Sequence, residues 1–271
     1  MPRDATILEK SRTVTATLNY LKSGAEKPAR YLYDRGDLPQ WTGINDPHDM
    51  PIADARGHES DYTLDRNGFA LLLVPSVERA FTEEAAITGA YYDECAAIVR
   101  QATGASRVVV FDHTLRGPGQ PREPVMRVHN DYTEKSAPQR IRDLLPDEAE
   151  SLLGKRYVFI NAWRPISHVV IDRPLALCDA ASFTDDDLIM TDLVYEDRTG
   201  EIASVRHSPN HRWVFFSRMT PDEMVLIKCH DTARDGRARI SFHSAFDDPN
   251  TPAGMEPRQS IEIRTIAFFD H

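Results

Sequence analysis

The stretch "MRVHNDYTEK" at 126–135 sets an imidazole and a carboxylate two residues apart, His129 and Asp131, just after the run Val125-Met126-Arg127-Val128. On an extended backbone, residues i and i+2 project from the same side. Both groups can therefore address one metal ion, although a surface histidine beside a turn aspartate is the plainer explanation of such a pair. One more imidazole would complete a 2-His-1-carboxylate facial triad, which holds Fe(II) on three sites and leaves the others open.

Four histidines are candidates for that third position: His207, His211, His230 and His243. His243 follows "RARISF", and Arg258 stands fifteen residues beyond it at the start of the final strand-like run, with Ser260 on the same face. A guanidinium fork grips a carboxylate bidentately and a serine hydroxyl adds one bond. Arg258 and Ser260 are thus the candidates for holding a cosubstrate carboxylate; the alternative is a surface ion pair of Arg258 with Glu256 or Glu262. His211, at the head of "HRWVFFSRM", is the second choice of ligand and otherwise a wall of the substrate site or a strand-edge residue beside Trp213. His230 next to Asp231 reads as a hydrogen-bonded structural histidine. Trp163 and Arg164 of "NAWRP" are the substrate-side candidates, against the reading that Trp163 is core and Arg164 pairs with Asp179.

These residues must be carried by strands. "TVTATLNYL" at 13–21 alternates as a strand does, whereas 34–67, rich in Asp, Gly and Pro, reads as a long surface segment. "GFALLLV" is the next strand. The clearest helix spans 81–105, with Thr82 as N-cap, acidic residues in the first turn and Gly104 as the stop. "SRVVVFDHTLR" is a strand ending in the turn Gly117-Pro118-Gly119, and "APQRIRDLLPDEAESLLGK" is a second helical piece. From "RYVFINAWRPI" onward strand-like runs dominate: "PLALCDAAS", "DLIMTDLVY", "HRWVFFSRM", "EMVLIKCHD", "RARISFHSAF" and "QSIEIRTIAFF". The expectation is an α+β, mainly β chain whose second half is a sandwich or barrel.

The 271 residues carry a formal net charge of -10, which argues against nucleic acid or an anionic membrane as a partner. Three scattered cysteines give neither a disulfide framework nor a CxxC site and suit a reducing cytoplasm. The charged N-terminal stretch lacks the apolar core of a secretion signal, and no apolar run approaches a membrane span. Nucleotide phosphate loops and the GxSxG elbow are absent.

With HxD at 129–131, "NAWRP", "PLALCDAAS", "HRWVFF", "PDEMVLIKCHDT" and "HSAFDDP…RQSIEIR" in this order, together with "GFALL", "TGA" and "FDHTLR", the chain resembles the CmcJ/NvfI family of oxygenases over most of residues 65–268. The resemblance implies a double-stranded β-helix, jelly-roll and cupin-like, with flanking helices. It implies one oxygenase domain over 1–271, in which an elaboration of about 1–105 precedes a β-helix core of about 106–271. It further implies Fe(II) on His129, Asp131 and His243, 2-oxoglutarate held by Arg258, and O2 as oxidant of a C–H bond in a small secondary-metabolite or amino-acid-derived substrate. Where the family pattern carries a glutamate and a tyrosine this chain has Gln259 and His230. A zinc hydrolase on the same three residues and a non-catalytic partner of a biosynthetic enzyme are the alternatives; for the hydrolase no nearby glutamate stands out as general base. Oligomeric state is not legible in the sequence, and a homodimer remains open.

Overall fold

The computed structural model describes residues 12–120 and 122–270; the charged start of the chain, residues 1–11, lies outside them. Among the described residues fourteen strands carry the fold. In the first half they are β1 (Thr13–Lys22), β2 (Ala29–Tyr31), β3 (Ile44–Asp54), β4 (Phe69–Leu73), β5 (Arg107–Arg116) and β6 (His129–Asn130). Then come β7 (Tyr157–Pro165), β8 (Leu175–Cys178), β9 (Leu188–Val194), β10 (Thr199–Val205), β11 (Trp213–Phe215), β12 (Glu223–Asp231), β13 (His243–Ala245) and β14 (Ser260–Phe268).

They form two sheets. The larger runs β1-β3-β11-β8-β13-β6-β10-β9-β2 and the smaller β4-β12-β7-β14-β5. Alternate residues of facing strands make the core between them: Leu175, Leu177, Val214 and Phe216 from the larger sheet meet Phe159, Trp163, Val225 and Ile227 from the smaller. Each such side chain fully removed from water contributes about 1.5–3 kcal/mol. The larger sheet curls so that β1 returns towards β6, joined by an Asn19–Arg127 bridge, and wraps a second core of Leu18, Tyr20, Val128, Trp213 and Phe242. This is the curled two-sheet architecture of a jelly roll.

The outer face of the smaller sheet is covered by helix. The helical segment expected at 81–105 is present but broken: Glu84–Ala86 (α1) leads through a wide π turn, Ile87–Tyr91, into α2 (Tyr92–Thr103). Gly89 takes a non-helical backbone at the break, and Gly104 ends α2 in the left-handed region at φ 71°. Thr82 does not cap the first turn; the N-cap is Glu83, with no side-chain bond. Tyr91, Cys95 and Val99 pack on Val158, Ile160 and Ile263, so β7 is buried on both faces, as its near-continuous apolar run requires. The second helical piece is split into α3 (Ser136–Leu144) and α4 (Ala149–Leu153), with Pro146 between.

One expectation fails outright. The segment 34–67 is not all surface loop, because β3 pairs along ten residues with β1, from Thr13 opposite Ala53 to Lys22 opposite Ile44. Asp, His and two prolines disguise it. Pro47 and Pro51 share a parity, which puts their missing donors on one edge of the strand, and only residues 52–54 take a second neighbour, β11. The strand exists because β1 supplies its ladder and because Met50 and Ile52 are buried.

Candidate metal and cosubstrate site

Sheet register brings the two imidazoles together. Across the β6–β13 ladder His243 stands directly opposite His129, and His243 is also opposite Leu177 of β8. All three therefore face the smaller sheet. The rings lie 4.4 Å apart at 54°. Asp131, just past the end of β6, brings Oδ1 to 3.5 Å from His129 Nε2. The donor atoms of His129, Asp131 and His243 all lie within 4.8 Å of one another, and no other such group of three occurs among the described residues.

The backbone sets the tautomers. His129 Nδ1 lies 2.7 Å from the Arg127 carbonyl and His243 Nδ1 3.3 Å from the Ser241 carbonyl. A carbonyl can only accept, so both Nδ1 atoms carry hydrogen and both Nε2 lone pairs are left for a ligand. His243 Nε2 is buried and has no hydrogen-bond partner. Burial, reinforced by the neighbouring His243, pushes the His129 imidazolium down to about 3, so the ring is neutral near pH 7. Burial would raise the Asp131 carboxyl, but Arg264 and the two imidazoles outweigh it and hold the group well below the usual carboxylate range. Two imidazole Nε2 atoms with one carboxylate fit a divalent transition metal.

The smaller sheet supplies the supports. Asn161 of β7 donates to Asp131 Oδ2 at 2.6 Å, and Arg264 Nε approaches the same oxygen to 3.7 Å. Arg264 is held in turn by Asp112 and Thr114, both at 2.9 Å, and by Glu262. Period two along β14 puts Arg258, Ser260, Glu262 and Arg264 on one face. Register places Arg116 opposite Ser260 and Trp163 opposite Glu262.

Arg258 is only 3% exposed, and no carboxylate approaches it within 4.0 Å among the described residues. Neither Glu256 nor Glu262 pairs with it. One Nη donates to the Arg173 carbonyl, the guanidinium lies 5.2 Å over the Trp163 ring, and its Nε has no partner. Ser260 Oγ is likewise buried without a partner. Burial and the facing Arg116 push the Arg258 guanidinium down to about 9. A buried cation beside an unmet hydroxyl is the arrangement a carboxylate would satisfy.

Several candidates lie elsewhere. Arg164 does not reach this site: it is on the opposite face of β7 from Asn161 and Trp163, fully buried beneath α2, donating to the carbonyls of Pro221 at 3.0 Å and Val74 at 2.8 Å. Its expected alternative partner, Asp179, binds Arg212 and Asn67 instead. His211 lies outside the group of donors formed by His129, Asp131 and His243. It packs in the second core, stacked on Tyr20 with Nδ1 3.2 Å from the phenol oxygen and Nε2 3.4 Å from Asp187. His207 stacks on His48, and His230 on Tyr157. Trp163 is a core residue, 2% exposed, and serves as the platform under Arg258. Asn161 and Arg264 were missed, although both sit inside motifs quoted for other residues and the period-two pattern from Arg258 already pointed to Arg264.

Residues 18–268 match the family model described as "Oxidoreductase/YMDC permease-like domain"; no helix among the described residues is long and apolar enough to cross a membrane. The chain is 31% identical over 290 residues to the hydroxylase/desaturase efuI of Hormonema carpetanum, spanning 96% of this chain and 97% of that one. It is 31% identical over 239 residues to the Fe(II)/2-oxoglutarate-dependent dioxygenase nvfI of Aspergillus novofumigatus, 84% of each chain. The solved structure of the iron and alpha-ketoglutarate-dependent endoperoxidase NvfI aligns with a TM-score of 0.87 at 26% identity, over 96% of this chain and 99% of that one. The chain belongs to this family of oxidoreductases.

Proposed function

We propose that this chain, an Fe(II)- and 2-oxoglutarate-dependent dioxygenase by family, holds its iron on His129, Asp131 and His243 and the distal carboxylate of 2-oxoglutarate on Arg258 and Ser260. The observation that carries the metal assignment is the unpartnered, buried Nε2 of His243, aimed at the same point as His129 Nε2 and Asp131. Iron with 2-oxoglutarate supplies the oxidising power: one O2 is divided between decarboxylating 2-oxoglutarate to succinate and CO2 and oxidising a C–H bond of a small molecule.

The chain's own residues do the positioning. Asn161 and Arg264 fix Asp131 through Oδ2, leaving Oδ1 on the histidine side. Trp163 and the buried Arg258 keep water from the cosubstrate end, and the two carbonyl-bound Nδ1 atoms fix the tautomer and orientation of both imidazoles.

The test is anaerobic addition of Fe(II) and 2-oxoglutarate, read by the weak visible metal-to-ligand charge-transfer band. The wild type should show the band; His129→Ala and His243→Ala should lose it, Arg258→Ala should weaken 2-oxoglutarate binding, and His211→Ala should keep the band. A wild type that binds zinc tightly and gives no band overturns the reading in favour of hydrolysis.

A further inference from the structure

The metal-facing side of the larger sheet also carries two arginines without a carboxylate partner, Arg30, which is exposed to water, and Arg127, which is half-buried. Arg30 is opposite Leu193, Leu193 opposite Gly200, and Ser204 opposite His129, so alternation along β9 and β10 puts Arg30 on the face of His129. Trp41 bridges to Arg30, and Arg127, two residues before His129, lays its guanidinium 3.7 Å over the Trp41 ring. Among the described residues no carboxylate comes within 4.0 Å of either arginine. Arg127 Nε and Trp41 Nε1 are both buried, and neither has a hydrogen-bond acceptor.

Each unmet buried donor costs about 1–3 kcal/mol. A guanidinium stacked face-on keeps its in-plane donors for a ligand. Gly43 makes the stack: a Cβ there would stand 2.2 Å from Trp41 Cζ2, so only glycine lets the indole lie where it does. A ligand carboxylate meets both unmet donors and the charge together.

We propose that Arg127 and Trp41 bind a carboxylate of the substrate, which makes the substrate class of this oxygenase a carboxylic acid. The assignment of the acid as the molecule oxidised rests on the iron and 2-oxoglutarate reading above; the anion site itself does not.

The two can therefore fail separately. Phenylacetate and octanoate, each against its primary amide, are titrated into the metal-free full chain and followed by tryptophan fluorescence, with Trp41→Phe to identify the responding indole. The acids should bind at least tenfold more tightly than the amides in the wild type and in Arg258→Gln. Arg127→Gln should abolish that preference, Arg127→Lys should keep part of it, and Gly43→Ala should weaken acid binding. Equal binding of acids and amides, a preference that survives Arg127→Gln, or one that vanishes in Arg258→Gln overturns the proposal; a stack that merely clips the segment around Trp41 gives the first of these. An intact acid preference in a protein with no charge-transfer band leaves the anion site standing and removes the oxygenase reading.

Discussion

Asn161 of the smaller sheet donates to Asp131 of the larger at 2.6 Å, so the two halves of the sandwich are stitched together at the carboxylate that faces the histidines. The bond occupies Oδ2, while Oδ1 lies 3.5 Å from His129 Nε2. The carboxylate therefore has one oxygen for the scaffold and one for a ligand.

Removing that stitch should loosen the metal site without unfolding the chain. Asn161→Ala is expected to weaken Fe(II) or Co(II) affinity by about 10–100-fold, the range typical of outer supports to metal ligands. Metal titration checks this, with far-ultraviolet circular dichroism unchanged.

Arg264 serves both stability and site, because it meets Asp131, Glu262 and Asp112. Arg264→Met leaves buried carboxylate charge uncompensated, a defect that costs about 3–5 kcal/mol. Urea unfolding at pH 7 should show a loss near the lower figure, since the Asp112 side chain is half exposed. Arg264→Lys should recover part of it.

Gly117 at φ 129° packs against β14, and a Cβ there would come within 2.4 Å of the Arg258 carbonyl. Gly117→Ala is strained in its own backbone and displaces the residue proposed to hold 2-oxoglutarate. The expected result is at least tenfold weaker 2-oxoglutarate binding at unchanged metal affinity.

Burial against Tyr157 and Phe159 pushes His230 down to about 4, the nearby Glu134 only partly opposing it. Its folded pKa lies below the unfolded value of about 6.5. Between these limits the unfolded chain binds a proton that the folded chain refuses, so stability is full above about pH 6.5 and declines as pH falls towards 4. At pH 5 the loss is roughly 1–2 kcal/mol. Urea unfolding at pH 5 and 7.5 should show it, and His230→Tyr should reduce it.

Much of this site was legible because strand alternation is local. His129 with Asp131, and Arg258 with Ser260, share faces by period two alone. The residue pattern by itself left four histidines open and only the family resemblance favoured His243; the β6–β13 register that sets it opposite His129 joins strands far apart in the chain and is invisible to any local pattern. Arg164 and His211 misled for the same reason: each has the chemistry of a site residue, and only the sheet face decides that one lies under α2 and the other behind β13. The strand β3 was hidden because its partner, β1, makes it a strand despite its composition.

The short ladder between β6 and β13 also bears on how the protein comes into being. His129 and His243 become neighbours across that ladder, and the segment from α3 to β12 lies between them in the chain. A nascent chain that has not yet released β13 from the ribosome has no place to bind iron through three ligands. A metal held by all three would therefore bind only a chain in which β6 and β13 have already paired, and its affinity would report on that long-range contact.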